Sequence, residues 1–519
     1  MNALQHKKVL VLGLGSSGLA MAKWCLRFGA DVTVADTRPS PPKLQALESE
    51  AERARFIQSD MTEQLFNLSE FDLVLKSPGL SPAEVSGVVK AALAKGIPCG
   101  NELSLFADAL LELKTACDYN PEVIAITGTN GKTTVTALTS LLVARAGKSV
   151  EIAGNIGPSL LDTLARKIGV SALISYGPHA EEPPGEAAQK ALPEVWVLEL
   201  SSFQLEGVTN FKPSVATILN ITQDHLDWHQ TFHAYKAAKA NLFRNAALLL
   251  LNRDDAGVMA LLPPHEKGKP QTKYVTFGGQ EPQREGDYGV TSAGGMAWLV
   301  RAAVSDEKVR RRKGEPVELY VQRLMPSEAL RIKGSHNVSN ALAAIALAVA
   351  AECSLAPMLH GLREYRGEPH RVESIAVVEG VEYFDDSKGT NVGATAAALA
   401  GLGADRKLVA IMGGEGKDQD FSPLAIPVSR VARAVVLIGK DAQRIELALA
   451  GTSVEIQRAE SMQDAVKLAA GFAKWGDAVL MSPACASFDM FKDYEHRAEV
   501  FRQAVADLAD RVISPEQTL

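Results

Sequence analysis

Short, unbroken apolar runs alternate with helical patterns along the whole chain. "KVLVLG", "DVTVAD" and "FDLVLKSPG" mark the first hundred residues, and "EVIAITG", "VWVLEL" and "VATILN" the middle. "VEYFDD", "KLVAIMGG", "AVVLIG" and "AVLMSPA" mark the last third. Runs without polar alternation predict strands buried on both faces, and the helical stretches between them supply the crossovers of parallel sheets. The pattern therefore predicts an α/β fold of three units in series, without a repeat of fixed period. Two stretches break the rhythm. Residues 177–193, rich in Pro, Glu and Ala, have no periodic apolar face and predict a mobile surface loop. Residues 279–318, rich in Gly, Arg and Glu, predict loose hairpins, with the basic run Arg310–Lys313 in a solvated turn before Gly-Glu-Pro.

Composition narrows the function without naming it. At 519 residues the chain is too long for one core, and its 46% hydrophobic and 22% charged residues suit a globular protein. A net charge of -7 gives no electrostatic reason for a nucleic-acid partner. Cys25, Cys99, Cys117, Cys353 and Cys485 are odd in number and lack a C-x-x-C pair, which fits a reducing compartment. The longest apolar stretch, "ALAAIALAVAA", falls far below the ~20 residues of a membrane span. The N-terminal apolar run is broken at Gly13 and has no cleavage site, unlike a signal peptide. The expectation is a cytoplasmic protein without a membrane partner.

Two glycine loops carry the candidate chemistry. Gly13, Gly15 and Gly18 follow the first apolar run as G-x-G-x-x-G, and Asp36 ends the second run. That spacing is the dinucleotide fingerprint, in which a pyrophosphate sits at a helix N-terminus. Ser16 and Ser17 add hydroxyl donors there. The second loop, "ITGTNGKTT", joins an apolar run to a helical pattern through Gly128, Thr129, Asn130, Gly131, Lys132, Thr133 and Thr134. Its glycines let backbone N–H groups converge on phosphate oxygens, Lys132 reaches the β- and γ-phosphates, and the Thr133 hydroxyl suits Mg²⁺. Ile126 stands where the strict Walker spacing has glycine. The loop predicts ATP binding.

Further polar residues follow from their placement. Glu199 ends "VWVLEL", at the carboxyl edge where a parallel sheet meets its ligand, and is a hard oxygen donor for Mg²⁺ beside Thr133. His225, His229 and His233 recur at i, i+4 and i+8, a spacing that lines one helix face, but no H-E-x-x-H zinc motif is present. Asn337 and Asn340 open an apolar helix, where they suit an adenine edge; Ser335 or Asn337 equally suits an N-cap.

"TGTNGKTT" resembles the nucleotide loop of the Mur ligases, ATP-dependent amide-forming enzymes of peptidoglycan precursor synthesis, and of their relative folylpolyglutamate synthase. "GNIG", "LELSSFQLE", "ILNITQDHLDWH", "YKAAKANLF" and "GSHNVSNALAA" extend the resemblance over nearly the whole chain. "PHR", "DDSKGTN", "GGEGKDQDF" and "SPACASFDMFKDYEHR" most resemble the D-glutamate-adding members. The resemblance implies a Rossmann-like UDP-binding domain over 1–100, a central P-loop ATPase-type domain over 101–366 and a Rossmann-like, amino-acid-binding domain over 367–519. It implies UDP-N-acetylmuramoyl-L-alanine, D-glutamate and ATP as substrates, two Mg²⁺ ions and a monomer.

The same resemblance distributes residues. His225 becomes a ligand of the second Mg²⁺, and Lys239 of "YKAAK", rather than Lys236, a CO₂-derived carbamate beside it. Arg371 and Lys388 become cations for the ATP phosphates, with Asp386 near the ribose or metal. Thr390, Lys417, Ser487 and Tyr494 become the D-glutamate site. Asp36, Thr37 and Arg38 meet the uracil, Ser77 closes that pocket, and the sugar with its lactyl-alanine runs toward Asn155 and His225. Two departures stand out: Gly389 where alanine is usual, and Glu415 where aspartate is common. Another amide ligase of the same architecture, such as a folylpolyglutamate synthase-like enzyme, and a nicotinamide dehydrogenase are the competing readings. A complete α/β unit ahead of the nucleotide loop opposes the first, and the phosphate loop opposes the second.

Overall fold

The first apolar run becomes β1 (Lys8–Leu12), whose last four residues are buried, as a central parallel strand requires. The computed structural model describes residues 2–61, 67–169, 192–264, 272–304, 319–404 and 406–513. β1 pairs with β2 (Asp31–Asp36) and, across β3 (Arg55–Gln58) in sequence, with β4 (Leu73–Lys76); β5 (Cys99–Gly100) closes a parallel sheet of order β3-β2-β1-β4-β5. The order reverses beside β1, so the loops after β1 and β4 share one carboxyl edge, where parallel sheets bind ligands.

The second sheet has order β11-β10-β9-β6-β8-β7, built from β6 (Glu122–Thr127), β7 (Val150–Gly154), β8 (Val195–Glu199), β9 (Val215–Ile218), β10 (Leu248–Asn252) and β11 (Tyr274–Phe277). All its pairs are parallel. Both sheets lie in one compact unit, Met1–Ile221, Trp228–Phe277 and Ala343–Gly361. One core serves both: Phe106, on the helix Glu102–Cys117, meets Trp196 of β8 edge-on at 5.3 Å. Asn101 caps that helix and also donates to the Gln204 carbonyl at 2.9 Å.

The second unit comprises Thr222–Asp227, Gly278–Leu342 and Leu362–Leu519. It contains an antiparallel sheet of β12 (Tyr288–Ala293), β13 (Met296–Val304) and β14 (Leu319–Pro326). The expected loose hairpins are thus a paired sheet, because Leu299, Val300, Ala302 and Met325 supply buried positions among the polar ones. Arg310–Lys313 lies outside the described residues, as does 177–191 of the expected surface loop. A six-stranded sheet completes the unit: β15 (Glu373–Val378), β16 (Val381–Asp385), β17 (Leu408–Gly413), β18 (Ala432–Ile438), β19 (Glu455–Arg458) and β20 (Ala478–Met481), in order β15-β16-β20-β17-β18-β19. Only its β15–β16 edge pair is antiparallel. The loops after β16, β20 and β17 therefore leave from three neighbouring strands.

Cys25, Cys99, Cys117, Cys353 and Cys485 form no disulfide. Among the described residues, no helix is long and apolar enough to cross a membrane.

Candidate active site

The fingerprint glycines are fixed by close packing in the first sheet. A Cβ on Gly18 would meet the Gly13 carbonyl oxygen at 2.0 Å, so the helix Ser16–Arg27 packs against its own entry loop only with glycine there. Asp36, 2% exposed, is wholly engaged by the chain itself. Its Oδ2 accepts from the Leu14 amide at 2.7 Å and Arg38 Nη2 at 2.8 Å, and its Oδ1 from Arg38 N at 3.0 Å and Nε at 2.8 Å. Four donors fill the in-plane acceptor sites of one carboxylate. The acid of the fingerprint thus shapes the glycine loop and holds the half-exposed Arg38 rather than facing outward.

Burial raises the Asp36 carboxyl, but the Arg38 guanidinium and the Leu14 amide outweigh it and hold the group at about 2. A folded pKa below the unfolded value of ~3.9 stabilises the fold above about pH 4 and loses that contribution as pH falls toward 2. Denaturant unfolding of Asp36→Asn is expected to show a deficit of about 2 kcal/mol near pH 6 that shrinks below pH 4. A deficit independent of pH would contradict this assignment.

The second glycine loop leaves β6 at the carboxyl edge of its sheet. Gly131, at φ 83°, caps the helix Lys132–Arg145 in a conformation glycine tolerates. Asn220 braces the loop from β9: its Oδ1 accepts from Asn130 N at 2.8 Å and its Nδ2 donates to the Asn130 carbonyl at 3.0 Å. The Lys132 ammonium folds over the same loop, donating to the carbonyls of Gly128 and Thr129 at 2.9 Å each. Thr133 and Thr134 are buried in the first turn.

Glu199 ends β8, in register with Ile126 of β6. It is 1% exposed; its Oε1 accepts from Asn155 Nδ2 at 3.0 Å, while its Oε2 has no hydrogen-bond partner among the described residues. A buried, unpartnered carboxylate oxygen costs free energy unless a cation completes it, which is what a Mg²⁺ ligand requires. Gly154 permits this approach, since a Cβ there would meet the Glu199 carbonyl oxygen at 2.2 Å. Lys239, 2% exposed, sends its ammonium to the Gly128 carbonyl at 3.0 Å and to Thr127 Oγ1 at 3.3 Å. Lys236 is only half-buried.

Tyr235 escaped the sequence reading. Its hydroxyl bonds Thr129 Oγ1 at 2.9 Å and its ring lies 4.7 Å below the Lys239 ammonium. Its i, i+4 spacing to Lys239 was the available signal. The three histidines do not line one helix face, because Leu226–His229 and Phe232–Ala240 are separate helices divided at Gln230, φ 64°. His229 is buried, 2.9 Å from Ser202 Oγ, and His233 is exposed. His225 belongs to the second unit, where Asp224 lies 3.6 Å from its Nε2 and accepts from Asn391 Nδ2 at 3.4 Å.

In the second unit Asn337 lies within the first turn of the helix Ser335–Ala350; its Nδ2 donates to the Lys333 carbonyl at 2.8 Å. Asn340 donates to Asn337 Oδ1 at 3.1 Å, so the two amides form one group. Asn337 and Arg371 line a cavity of about 1120 Å³ with Arg331, Lys333 and Phe384.

Asp386 follows β16 and accepts from Ser482 Oγ at 2.6 Å. Burial pushes its carboxyl up to about 7, against the opposing pull of Ser482 and Arg371. The glycine at 389 has a local cause: a Cβ there would meet Asp386 Oδ2 at 2.5 Å and Ser482 Oγ at 3.0 Å. Gly389→Ala is expected to cost about 1–3 kcal/mol by forcing this pair apart. Denaturant unfolding checks it, and an unchanged midpoint would contradict it.

Lys388 spans the same loop, its amide donating to the His370 carbonyl at 3.2 Å and its ammonium 5.1 Å from the Tyr494 ring. Arg497, fully buried, is the other residue sequence reasoning missed: it donates to the Ser387 carbonyl at 2.8 Å and the Cys485 carbonyl at 3.1 Å. It thereby ties the loop of Asp386, Lys388 and Thr390 to the loop of Ser487. Burial lowers its guanidinium to about 10. Ser487 is buried, Thr390 and Tyr494 half-buried, and Lys417 is exposed at φ 48°. Glu415 pairs with Ala486 through both backbone hydrogen bonds and accepts from Lys440 Nζ at 2.9 Å. His370, Glu373 and Asp385 converge closely enough for a metal, but Arg502 already supplies the cation, 2.5 Å from Glu373 and 3.4 Å from Asp385.

Three family models match the chain in succession: the Mur ligase MurD-like N-terminal domain over 7–100, the Mur ligase middle domain over 126–348, and the Mur ligase glutamate ligase domain over 370–485. The chain is 58% identical over 513 residues to the UDP-N-acetylmuramoylalanine–D-glutamate ligase of Albidiferax ferrireducens, covering 98% of each. It is 52% identical over 516 residues to the ligase of the same name from Burkholderia thailandensis, covering 97% of this chain and 98% of that one. Among solved structures, the MurF ligase of Thermotoga maritima in complex with ADP shares the fold, with a TM-score of 0.54 at 15% identity over 98% of this chain and 97% of that one.

Proposed function

Because the chain belongs to the Mur ligase family, we propose that it is an ATP-dependent ligase joining D-glutamate to UDP-N-acetylmuramoyl-L-alanine, with release of ADP and phosphate, in peptidoglycan precursor synthesis. The observation that carries the chemistry is the carboxyl edge of the second sheet: a braced phosphate loop, the Lys132 ammonium over it, and the buried, half-partnered Glu199 beside it. The three domains are assigned to 1–100, 101–366 and 367–519. The protein is assigned to the cytoplasm, on cysteines that form no disulfide, and to a monomer.

In the proposed reaction a carboxylate oxygen of the UDP-linked alanine attacks the γ-phosphorus of ATP, and the β,γ-bridging P–O bond breaks to release ADP. The amine of D-glutamate then attacks the acyl carbon; the C–O bond to phosphate breaks and the amine loses a proton. Two anions must meet in the first step, so fixed positive charge lowers its barrier. Lys132 is assigned that charge, and Arg371 and Lys388 are further cations assigned to the ATP phosphates. Thr133 and Glu199 are assigned to one Mg²⁺ and His225 to a second, and Mg²⁺ held by these residues would neutralise phosphate oxygens. The unpartnered Glu199 Oε2 fits that role. Lys239 fits a carbamate, since its amine is buried against the loop and CO₂ would convert it into an anionic oxygen donor.

Ser16 and Ser17 are assigned to the pyrophosphate, Thr37 and Arg38 to the uracil with Asp36 as their anchor, and Ser77 and Asn155 to the sugar and its lactyl-alanine. Asn337 and Asn340 take the adenine. Thr390, Lys417, Ser487 and Tyr494 take D-glutamate, whose two carboxylates need the exposed Lys417 and hydroxyl donors. Mass analysis of products from D-glutamate, L-glutamate and D-aspartate tests this reading. A glutamyl product from the D-isomer alone is expected; equal use of the L-isomer, or glutamate added to a folate instead, would overturn it.

A further inference from the structure

Lys76 was not among the candidate residues, yet its surroundings are unusual. It ends β4 in register with Leu12 of β1, next to Ser77 and the first glycine loop. Its ammonium is half-buried, donates to the Leu80 carbonyl at 3.3 Å and lies 4.9 Å from the centre of the Trp228 ring. Burial lowers the ammonium to about 8, with Glu206 and Glu84 opposing. A cation largely stripped of water gains most from an aromatic face.

Trp228 begins a continuous series of contacts. Its ring lies 4.5 Å from Phe203 and 4.4 Å, edge-on, from His229. His229 meets Tyr235 edge-on at 5.3 Å, and Tyr235 reaches Thr129 of the phosphate loop and the Lys239 ammonium. His229 also bonds Ser202, three residues beyond Glu199. All these residues belong to the first unit. The Trp228 indole Nε1 is buried with no hydrogen-bond partner among the described residues, so this ring is held by stacking and by Lys76.

We propose that Lys76 and Trp228 are positioning residues: their contact joins the first glycine-loop pocket to the phosphate loop through His229 and Tyr235, so that filling one pocket tightens binding in the other. The proposal rests on the substrate assignment above. Neither residue touches a reacting atom in it. Proximity alone does not establish coupling, so the test measures coupling itself.

ADP affinity is measured by calorimetry with and without UDP-N-acetylmuramoyl-L-alanine, for the native chain, Lys76→Met, Lys76→Arg and Trp228→Leu. The UDP substrate is expected to tighten ADP binding about five-fold or more in the native chain. Lys76→Met and Trp228→Leu should bind ADP alone normally but lose most of that enhancement, and Lys76→Arg should recover it. Independent binding in the native chain, or full enhancement in Lys76→Met, would overturn the proposal. If Lys76→Met unfolds, an unchanged enhancement in Trp228→Leu overturns it equally. A native chain that binds ADP but not the UDP substrate instead contradicts the functional reading.

Discussion

Lys132→Met is expected to lower kcat by about 10²–10³-fold with little change in thermal stability. The ammonium now rests on two loop carbonyls, Gly128 and Thr129, at the surface of the phosphate loop rather than in the core. Bound phosphates would draw it off those acceptors, since an anion is a stronger partner than a neutral carbonyl. The loop itself is braced by Asn220 and Tyr235, so the variant should keep its shape. Because charge builds as carboxylate and γ-phosphate approach, the loss should fall on kcat more than on the KM for ATP. Steady-state kinetics decide it. A loss below about ten-fold would mean that another cation neutralises the transferring phosphate.

Lys239→Ala is expected to lower kcat by about 10²-fold and to recover activity in acetate or formate. The side chain fills a buried slot against Thr127, Gly128 and the Tyr235 ring, so its loss leaves space for a small carboxylate. If the working group is a carbamate, an added carboxylate supplies the missing anionic oxygens; if it is an ammonium, Lys239→Arg should serve and carboxylates should not. Bicarbonate dependence of the native enzyme gives the same discrimination. Full activity in Lys239→Arg together with no rescue by short acids would remove the carbamate from the proposed reaction.

The parts of this molecule that lie close in sequence were legible beforehand. Three α/β blocks followed from apolar runs because a strand buried on both faces has no polar alternation to hide it. The phosphate loop was legible because strand, glycines, lysine and helix are contiguous. The place of Glu199 at the end of a parallel strand was legible because the apolar run before it stops there. The missed features depend on contacts and backbone choices that only the folded chain makes. Only the fold brings the Leu14 amide, 22 residues away, onto the carboxylate of Asp36 that Arg38 also fills. The break at Gln230 that separates the histidines is a backbone choice without a proline or glycine to announce it. Tyr235, Trp228 and Lys76 become a series only after β4 and the helices around His229 are packed together. The departure at Gly389 has its cause in Asp386 and Ser482, which occupy the space a methyl group would fill.

The central claim is ATP-driven amide formation, and phosphate release from ATP tests it most directly. The purified chain is incubated with ATP and Mg²⁺, adding UDP-N-acetylmuramoyl-L-alanine and D-glutamate singly and together. Sustained release of ADP and phosphate is expected only when both are present, one of each per amide bond formed. Equal release with a folate in place of the UDP substrate, or reduction of NAD without ATP, would contradict it.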